Sequence, residues 1–222
     1  MIPATRRVVN RSPSHTVRLI HLSHLQSAPI EAESSLERDF VHVAALFPFT
    51  RAIQHQPFKL VWDDASYTPD FLLTFKDASR LVVEVKPLDK VPGYEELFGR
   101  AAEKLKSHKL PFLIAQDTQI RQQQRASNAL EIRRYAKTSY SASVCNDAML
   151  MVSSNPSGVK LPGAKDPCPF PRTVFLHLVS RRLLALSSSL DIGPKALVFP
   201  INEAEEESHA IQFASWFDAE IR

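Results

Sequence analysis

Asp70 and the triplet Glu84-Val85-Lys86 are the residues of this chain whose types and spacing can do chemistry. They lie in two apolar runs, Tyr67-Thr68-Pro69-Asp70-Phe71-Leu72-Leu73-Thr74-Phe75 and Arg80-Leu81-Val82-Val83-Glu84-Val85-Lys86-Pro87. Paired carboxylates hold a hard cation through oxygen. Such a cation polarises a phosphoryl oxygen and lowers the pKa of its bound water. A neighbouring lysine orients or deprotonates that water, or stabilises the charge that develops on the phosphate. Together these groups are the minimum for metal-assisted phosphodiester hydrolysis. The competing reading is a solvated strand face with an edge-protecting lysine, and a lone D…ExK pattern does not decide between the two. Glu84 favours chemistry, because it interrupts Leu-Val-Val-Glu-Val, where an unpaired buried charge would be costly.

The elements that must position these groups follow from strand periodicity. Side chains alternate faces along a strand, so Glu84 and Lys86 share a face with Val82. Asp70 shares a face with Leu72 and Thr74. A turn over Lys76-Asp77-Ala78-Ser79 centred on Asp77 pairs residue 70 with 84, 72 with 82 and 74 with 80. Asp70 then stands opposite Glu84. The reverse face becomes Phe71, Leu73, Phe75, Leu81, Val83 and Val85, all apolar. A register shifted by one residue would turn Asp70 to the wrong face.

A third carboxylate lies upstream. Residues 33–47 read as a helix, with Leu36, Phe40, Val43, Ala44 and Phe47 at helical spacing. Glu37 is on the flank of that stripe. Ser34-x-x-Glu37 also has the form of a capping box, in which the glutamate folds back on the helix start. Capping and catalysis are both open to Glu37, and the two roles are compatible.

Four ordered blocks resemble a known family. Glu33-Ser34-Ser35-Leu36-Glu37-Arg38-Asp39-Phe40, Gln56-Pro57, Tyr67-Thr68-Pro69-Asp70-Phe71 and Val83-Glu84-Val85-Lys86-Pro87 look like those of the TnsA-type endonucleases of heteromeric transposons. The resemblance covers roughly residues 5 to 140. It implies a PD-(D/E)xK nuclease of restriction-endonuclease-like fold, a mixed α/β sheet flanked by helices, followed by a smaller winged-helix-like domain. It implies Mg2+, with Mn2+ as a substitute, held by Asp70, Glu84 and the Val85 carbonyl. Lys86 would position or activate water, and Glu37 would complete the cluster or hold a second metal. Members of the family can carry glutamine at the position of Glu84, and glutamate here agrees with the wider nuclease class. The implied activity is cutting of the 5′ strands at transposon ends. The implied partners are end DNA, a TnsB-like transposase and a TnsC-like AAA+ ATPase. An autonomous restriction or repair nuclease of the same fold, or a non-catalytic assembly module, are the alternatives.

Composition agrees with this and narrows it little. The chain has 222 residues, enough for one good core and a second small unit. No stretch approaches the roughly 18 apolar residues of a membrane span. The first residues lack an apolar signal region. Cys145 and Cys168 read as reduced thiols of a cytoplasmic protein, and the resemblance implies a prokaryotic one, nucleoid-associated when assembled. No Cys/His spacing suggests zinc, and no GxxxxGK[ST] loop suggests ATP hydrolysis.

Net charge is only +3, but it is unevenly placed. Arg6, Arg7 and Arg11 fall in an acid-free N-terminal arm, and Arg121 and Arg125 in a second basic stretch. These arginines are candidate phosphate contacts, with a solvated surface as the plain alternative. The expected organisation is a basic arm over 1–30, a nuclease core over 31–127 and a partner-binding unit over 128–222. Within the core, strands are expected over 52–62, 67–75, 80–86 and 111–114, with a second helix over 92–108. The last unit reads as helices near 128–137, 143–152 and 173–184 and a strand over 196–201.

Overall fold

The structure, a computed structural model, describes residues 17–163, 165–203 and 206–222. In chain order these form β1 (Arg18–Ile20), β2 (Ile30–Ala32), α1 (Ser35–Ala44), β3 (Thr50–His55), β4 (Leu60–Val61), β5 (Ser66–Tyr67), β6 (Phe71–Phe75) and β7 (Arg80–Lys86). There follow α2 (Glu95–Ser107), β8 (Phe112–Gln116), α3 (Asp117–Ile120), α4 (Arg125–Arg134), α5 (Ala142–Ser153) and β9 (Val159–Lys160). The last are α6 (Arg172–Ser180), β10 (Ala185–Leu186), β11 (Leu197–Phe199) and α7 (His209–Phe217). Among the described residues no helix is long and apolar enough to cross a membrane.

The chain divides into two units. One holds the described residues up to Val41 with Phe49–Ile120 and Glu207–Arg222; the other holds His42–Pro48 and Arg121–Glu206. The chain passes from the first unit to the second after Ile120, where the expected boundary followed residue 127. The final sixteen residues, expected with the C-terminal unit, group with the first one instead. The cause is α7: its Phe213 packs on Phe75 of β6 at 5.6 Å, and its Phe217 on Phe40 of α1 at 5.7 Å.

The first unit is built on a mixed sheet in the order β3-β6-β7-β8. β3, β6 and β7 run antiparallel, and β8 joins β7 in parallel. A parallel neighbour needs a crossover, which the 3-10 segment Leu88–Tyr94 and α2 provide. The β6–β7 register is Phe71↔Val83, Leu72↔Val82, Leu73↔Leu81 and Thr74↔Arg80, which is the register expected from the alternation. The turn carries Ala78 at φ 67°, and Phe75 N–H donates to the Ser79 carbonyl.

Both faces of the sheet are covered, which explains why β7 is almost continuously apolar. One face carries Phe71, Leu73, Phe75, Leu81 and Val83, all buried, under Phe40 of α1 and the α7 aromatics. The other carries Leu72, Val82 and Ile114 under Phe98, Ala101 and Leu105 of α2. Each large apolar side chain so buried contributes about 1.5–3 kcal/mol. The second helix begins at Glu95, so Tyr94, expected within it, lies before it and is 44% exposed.

The second unit has α4, α5 and α6 with a three-stranded antiparallel sheet in the order β10-β11-β9. Its core includes Ala129, Ile132, Ala148, Val152, Val174, Phe175, Leu178 and Val198.

Candidate active site

Glu84 lies near the end of β7 and is 4% exposed. Both of its carboxylate oxygens are engaged. The Tyr67 hydroxyl donates to Oε2 at 2.5 Å, and the Lys86 ammonium stands 2.9 Å from Oε1. Glu84 and Lys86 meet because residues two apart on a strand share a face. The cost of placing a carboxylate in an apolar strand is offset by these two donors.

Asp70 directly precedes β6, and the β6–β7 register brings it level with Glu84. Its Oδ2 accepts a hydrogen bond from the Val85 amide at 2.8 Å. Its own carbonyl accepts from the Gln56 amide at 2.7 Å, where Gln56 has the left-handed φ of 38°. Asp70 is therefore fixed from both neighbouring strands.

Glu37 occupies the first turn of α1. One arm of the capping box forms, with Glu37 N–H donating to Ser34 Oγ at 3.0 Å, and Glu37 Oε2 folds back on the helix start to accept from the amide of Glu33, one residue before the cap, at 2.8 Å. Gln56 Nε2 donates to Glu33 Oε1 at 2.9 Å, so one residue ties the helix start to the strand that holds Asp70.

Electrostatics link these groups. Burial pushes Asp70 well above the usual carboxylate range, the charges of Glu84 and Glu37 add to this, and the Val85 amide and Lys86 oppose it. Burial also raises Glu37, against its hydrogen bonds to Glu33 and Ser34, with the charges of Glu33 and Glu84 adding to the rise. Burial pulls Lys86 down, but the adjoining Glu84 and Asp70 override it and hold the ammonium above its ordinary value. Burial and Glu84 together push the Tyr67 phenol far up, so it stays a donor. The Lys86 Nζ also lies 4.7 Å from the centre of the Tyr94 ring, a cation–π contact.

Carboxylate oxygens in mutual repulsion are the donors a hard divalent cation takes, and one added dication would relieve the strain on Asp70. Asp70 and Glu84 thus fit such an ion. Glu37 fits less directly. Among the described residues, no group of three or more His, Cys, Asp and Glu side chains is gathered closely enough to hold one ion. The expected three-carboxylate cluster is therefore open in this structure. Glu37 stands as a neighbouring charge whose Oε2 is occupied by its capping bond.

The candidate phosphate contacts fare differently. Arg6, Arg7 and Arg11 lie outside the described residues. Arg121 is exposed. Arg125 is 0% exposed at the start of α4, which removes it as a surface phosphate contact. Counting charge along the chain treats every arginine as surface, and α4 buries this one.

Sequence reasoning gave no role to Tyr67, Gln56 or Tyr94. Tyr67 and Gln56 stand inside the blocks that carried the family resemblance, which was the available signal. Tyr94 had none beyond its helical spacing. No protein-family model matches this chain, and no curated protein matches it.

Proposed function

We propose that this chain is a Mg2+-dependent DNA endonuclease, with Mn2+ able to replace Mg2+, acting through Asp70, Glu84 and Lys86 with Glu37 alongside. The observation that carries this reading is the pinning of Asp70 and Glu84 side by side on paired strands, with Lys86 bonded to Glu84 and Asp70 raised first by burial and then by the charges of Glu84 and Glu37. Structural ion pairs do not require that surplus of negative charge, whereas perturbed groups gather where chemistry is done.

Asp70 and Glu84 would hold the cation, joined by the Val85 carbonyl. Bound there, the ion would polarise the scissile phosphate and supply a more acidic water. Lys86, kept protonated by its surroundings, is suited to orient that water and to stabilise charge on the phosphate. Glu37 would strengthen the negative field that retains the ion, and its capping bonds hold it in place. Val85 N–H and Gln56 keep Asp70 from swinging away.

The TnsA resemblance adds a setting: cleavage of the 5′ strands at transposon ends, within a restriction-endonuclease-like fold. A TnsB-like transposase would process the 3′ ends, and a TnsC-like AAA+ ATPase would couple both to target choice, in a prokaryotic cytoplasm and at the nucleoid. The helices and antiparallel three-stranded sheet of the second unit support a winged-helix-like module for contacting those proteins. Low net charge supports dependence on partners, since sequence-independent DNA affinity comes from phosphate neutralisation.

Strand-specific mapping of cleavage on a transposon-end duplex, with and without the transposase and ATPase, tests this reading. Mg2+-dependent 5′-strand cuts that need the partners and vanish in Asp70→Ala are expected. Cleavage of ordinary duplex by the chain alone would favour an autonomous nuclease. Assembly without any Asp70-dependent cleavage would favour a scaffold.

A further inference from the structure

We propose that Tyr67 is the positioning residue of this site: its hydroxyl sets the orientation in which Glu84 meets the divalent cation. The inference rests on the nuclease reading above and adds to it a residue outside the carboxylate–lysine set.

The geometry is specific. Glu84 has two oxygens and two donors, one on each. Lys86 holds Oε1 from the partly exposed side, with 22% of its own side chain exposed. Tyr67 holds Oε2 at 2.5 Å from the buried side. The lysine is long and flexible and must be free to turn towards phosphate or water. The tyrosine cannot follow it. Tyr67 is 9% exposed, paired with Leu60 in the β4–β5 ladder, and its ring meets the Phe98 ring of α2 at 6.2 Å. When Lys86 leaves Glu84, Tyr67 is the remaining donor among the described residues that keeps the carboxylate in its rotamer. A fixed donor behind a ligating carboxylate is the arrangement that orients metal ligands, and its loss typically weakens metal affinity or activity by about 10–100-fold.

The same anchor reaches Lys86. Phe98 stacks on Tyr94 with centroids 5.6 Å apart, and Tyr94 carries the Lys86 ammonium over its ring. Tyr67 and Tyr94 thus brace the acidic and the basic partner of one ion pair through a single phenylalanine.

A purely structural Tyr67 would satisfy a buried carboxylate and affect stability alone. The test therefore reads metal binding as well as folding. Mn2+ is titrated calorimetrically into the full chain as wild type, Tyr67→Phe, Tyr67→Gln and Glu84→Ala, with thermal melts on the same samples. The Mg2+ dependence of duplex cleavage is followed with partners present. Tyr67→Phe should keep a cooperative melt, bind Mn2+ about 10–100-fold more weakly and need correspondingly more Mg2+ for half-maximal cleavage. Much of the saturated rate should return at high Mg2+. Tyr67→Gln, which retains a donor, should recover part of the affinity. Tyr67→Phe added to Glu84→Ala should change Mn2+ binding no further. Phe98→Leu, which leaves the hydroxyl but loosens the ring, should shift affinity in the same direction by less, and serves if Tyr67→Phe does not fold. Wild-type Mn2+ binding matched within twofold by the folded variants overturns the role of Tyr67 alone. A wild-type chain that neither binds Mn2+ nor cleaves overturns the nuclease reading, and this inference with it.

Discussion

Ser34 and Glu37 share one capping box, so substituting each in turn separates helix capping from catalysis. Ser34→Ala removes the acceptor of the Glu37 amide at 3.0 Å and the Ser34 hydroxyl's bond to the Glu37 carboxylate, but keeps the Glu37 charge and its bond from the Glu33 amide. Loss of a serine cap destabilises by roughly 1 kcal/mol, within a range of about 0.5–2. For a chain of this size that lowers Tm by about 2–4 °C. Glu37→Gln has the opposite signature. Its amide oxygen can still accept from the Glu33 N–H, which the carboxylate does at 2.8 Å. What disappears is the charge, which burial and Glu84 already disfavour, so Tm should fall by less than with Ser34→Ala or rise slightly at neutral pH. Cleavage should follow the reverse order, near normal in Ser34→Ala and almost lost in Glu37→Gln. Differential scanning fluorimetry and strand-specific cleavage on one preparation read both quantities. Normal cleavage by a folded Glu37→Gln protein would refute a site role for Glu37 and leave it a cap.

Asp70→Asn should abolish cleavage and yet stabilise the metal-free protein at neutral pH. The folded-state pKa of Asp70 is raised, so its ionisation costs stability; the stability is fully present below the ordinary carboxylate pKa and lost as pH rises through the raised value. The Tm advantage of Asn should accordingly shrink as pH falls towards 4, and an advantage that grows in acid would contradict this. Asp77→Ala should destabilise by about 1 kcal/mol, because Asp77 Oδ2 accepts from the His209 amide at the start of α7. Although burial acts to raise Asp77, hydrogen bonds from Ser79 and the His209 amide hold it below its ordinary value. Its contribution is present above the unfolded pKa and lost as pH falls through the lower folded one, so the wild-type advantage in Tm should fade only below about pH 4. Arg125→Ala should lower Tm by several degrees through lost packing, with no specific change in the salt dependence of DNA binding, because the side chain is fully buried. A selective loss of DNA affinity at unchanged Tm would place Arg125 at the surface.

Much of the first unit was legible because strand alternation and helix periodicity report burial directly. The β6–β7 register followed from one requirement, that Phe71, Leu73 and Phe75 share a face with Leu81 and Val83. The approach of Asp70 to Glu84 came with it. Two-residue strands such as β4, β5, β9 and β10 carry no periodicity to detect. α7 does carry a pattern, with Ala210, Phe213, Ala214 and Phe217 on one face, in a segment flanked by the acids Glu205, Glu206, Glu207 and Asp218. Its first amides are satisfied from the β6–β7 turn, by Asp77 and the Ser79 hydroxyl, a tertiary device with no local signature. The capping box was visible in Ser34-x-x-Glu37. The Tyr67–Glu84 bond was not, because it joins residues 17 apart that belong to two different sheets.

The central claim is that Asp70 and Glu84 together hold a divalent cation. Anomalous diffraction from crystals of the full chain grown with Mn2+ tests it most directly. One peak is predicted at coordination distance, about 2 Å, from a carboxylate oxygen of each, with Lys86 within reach of the ion's bound water. A Mn2+ peak elsewhere, or none while Glu84 stays bonded to Lys86 and Tyr67, would contradict the account.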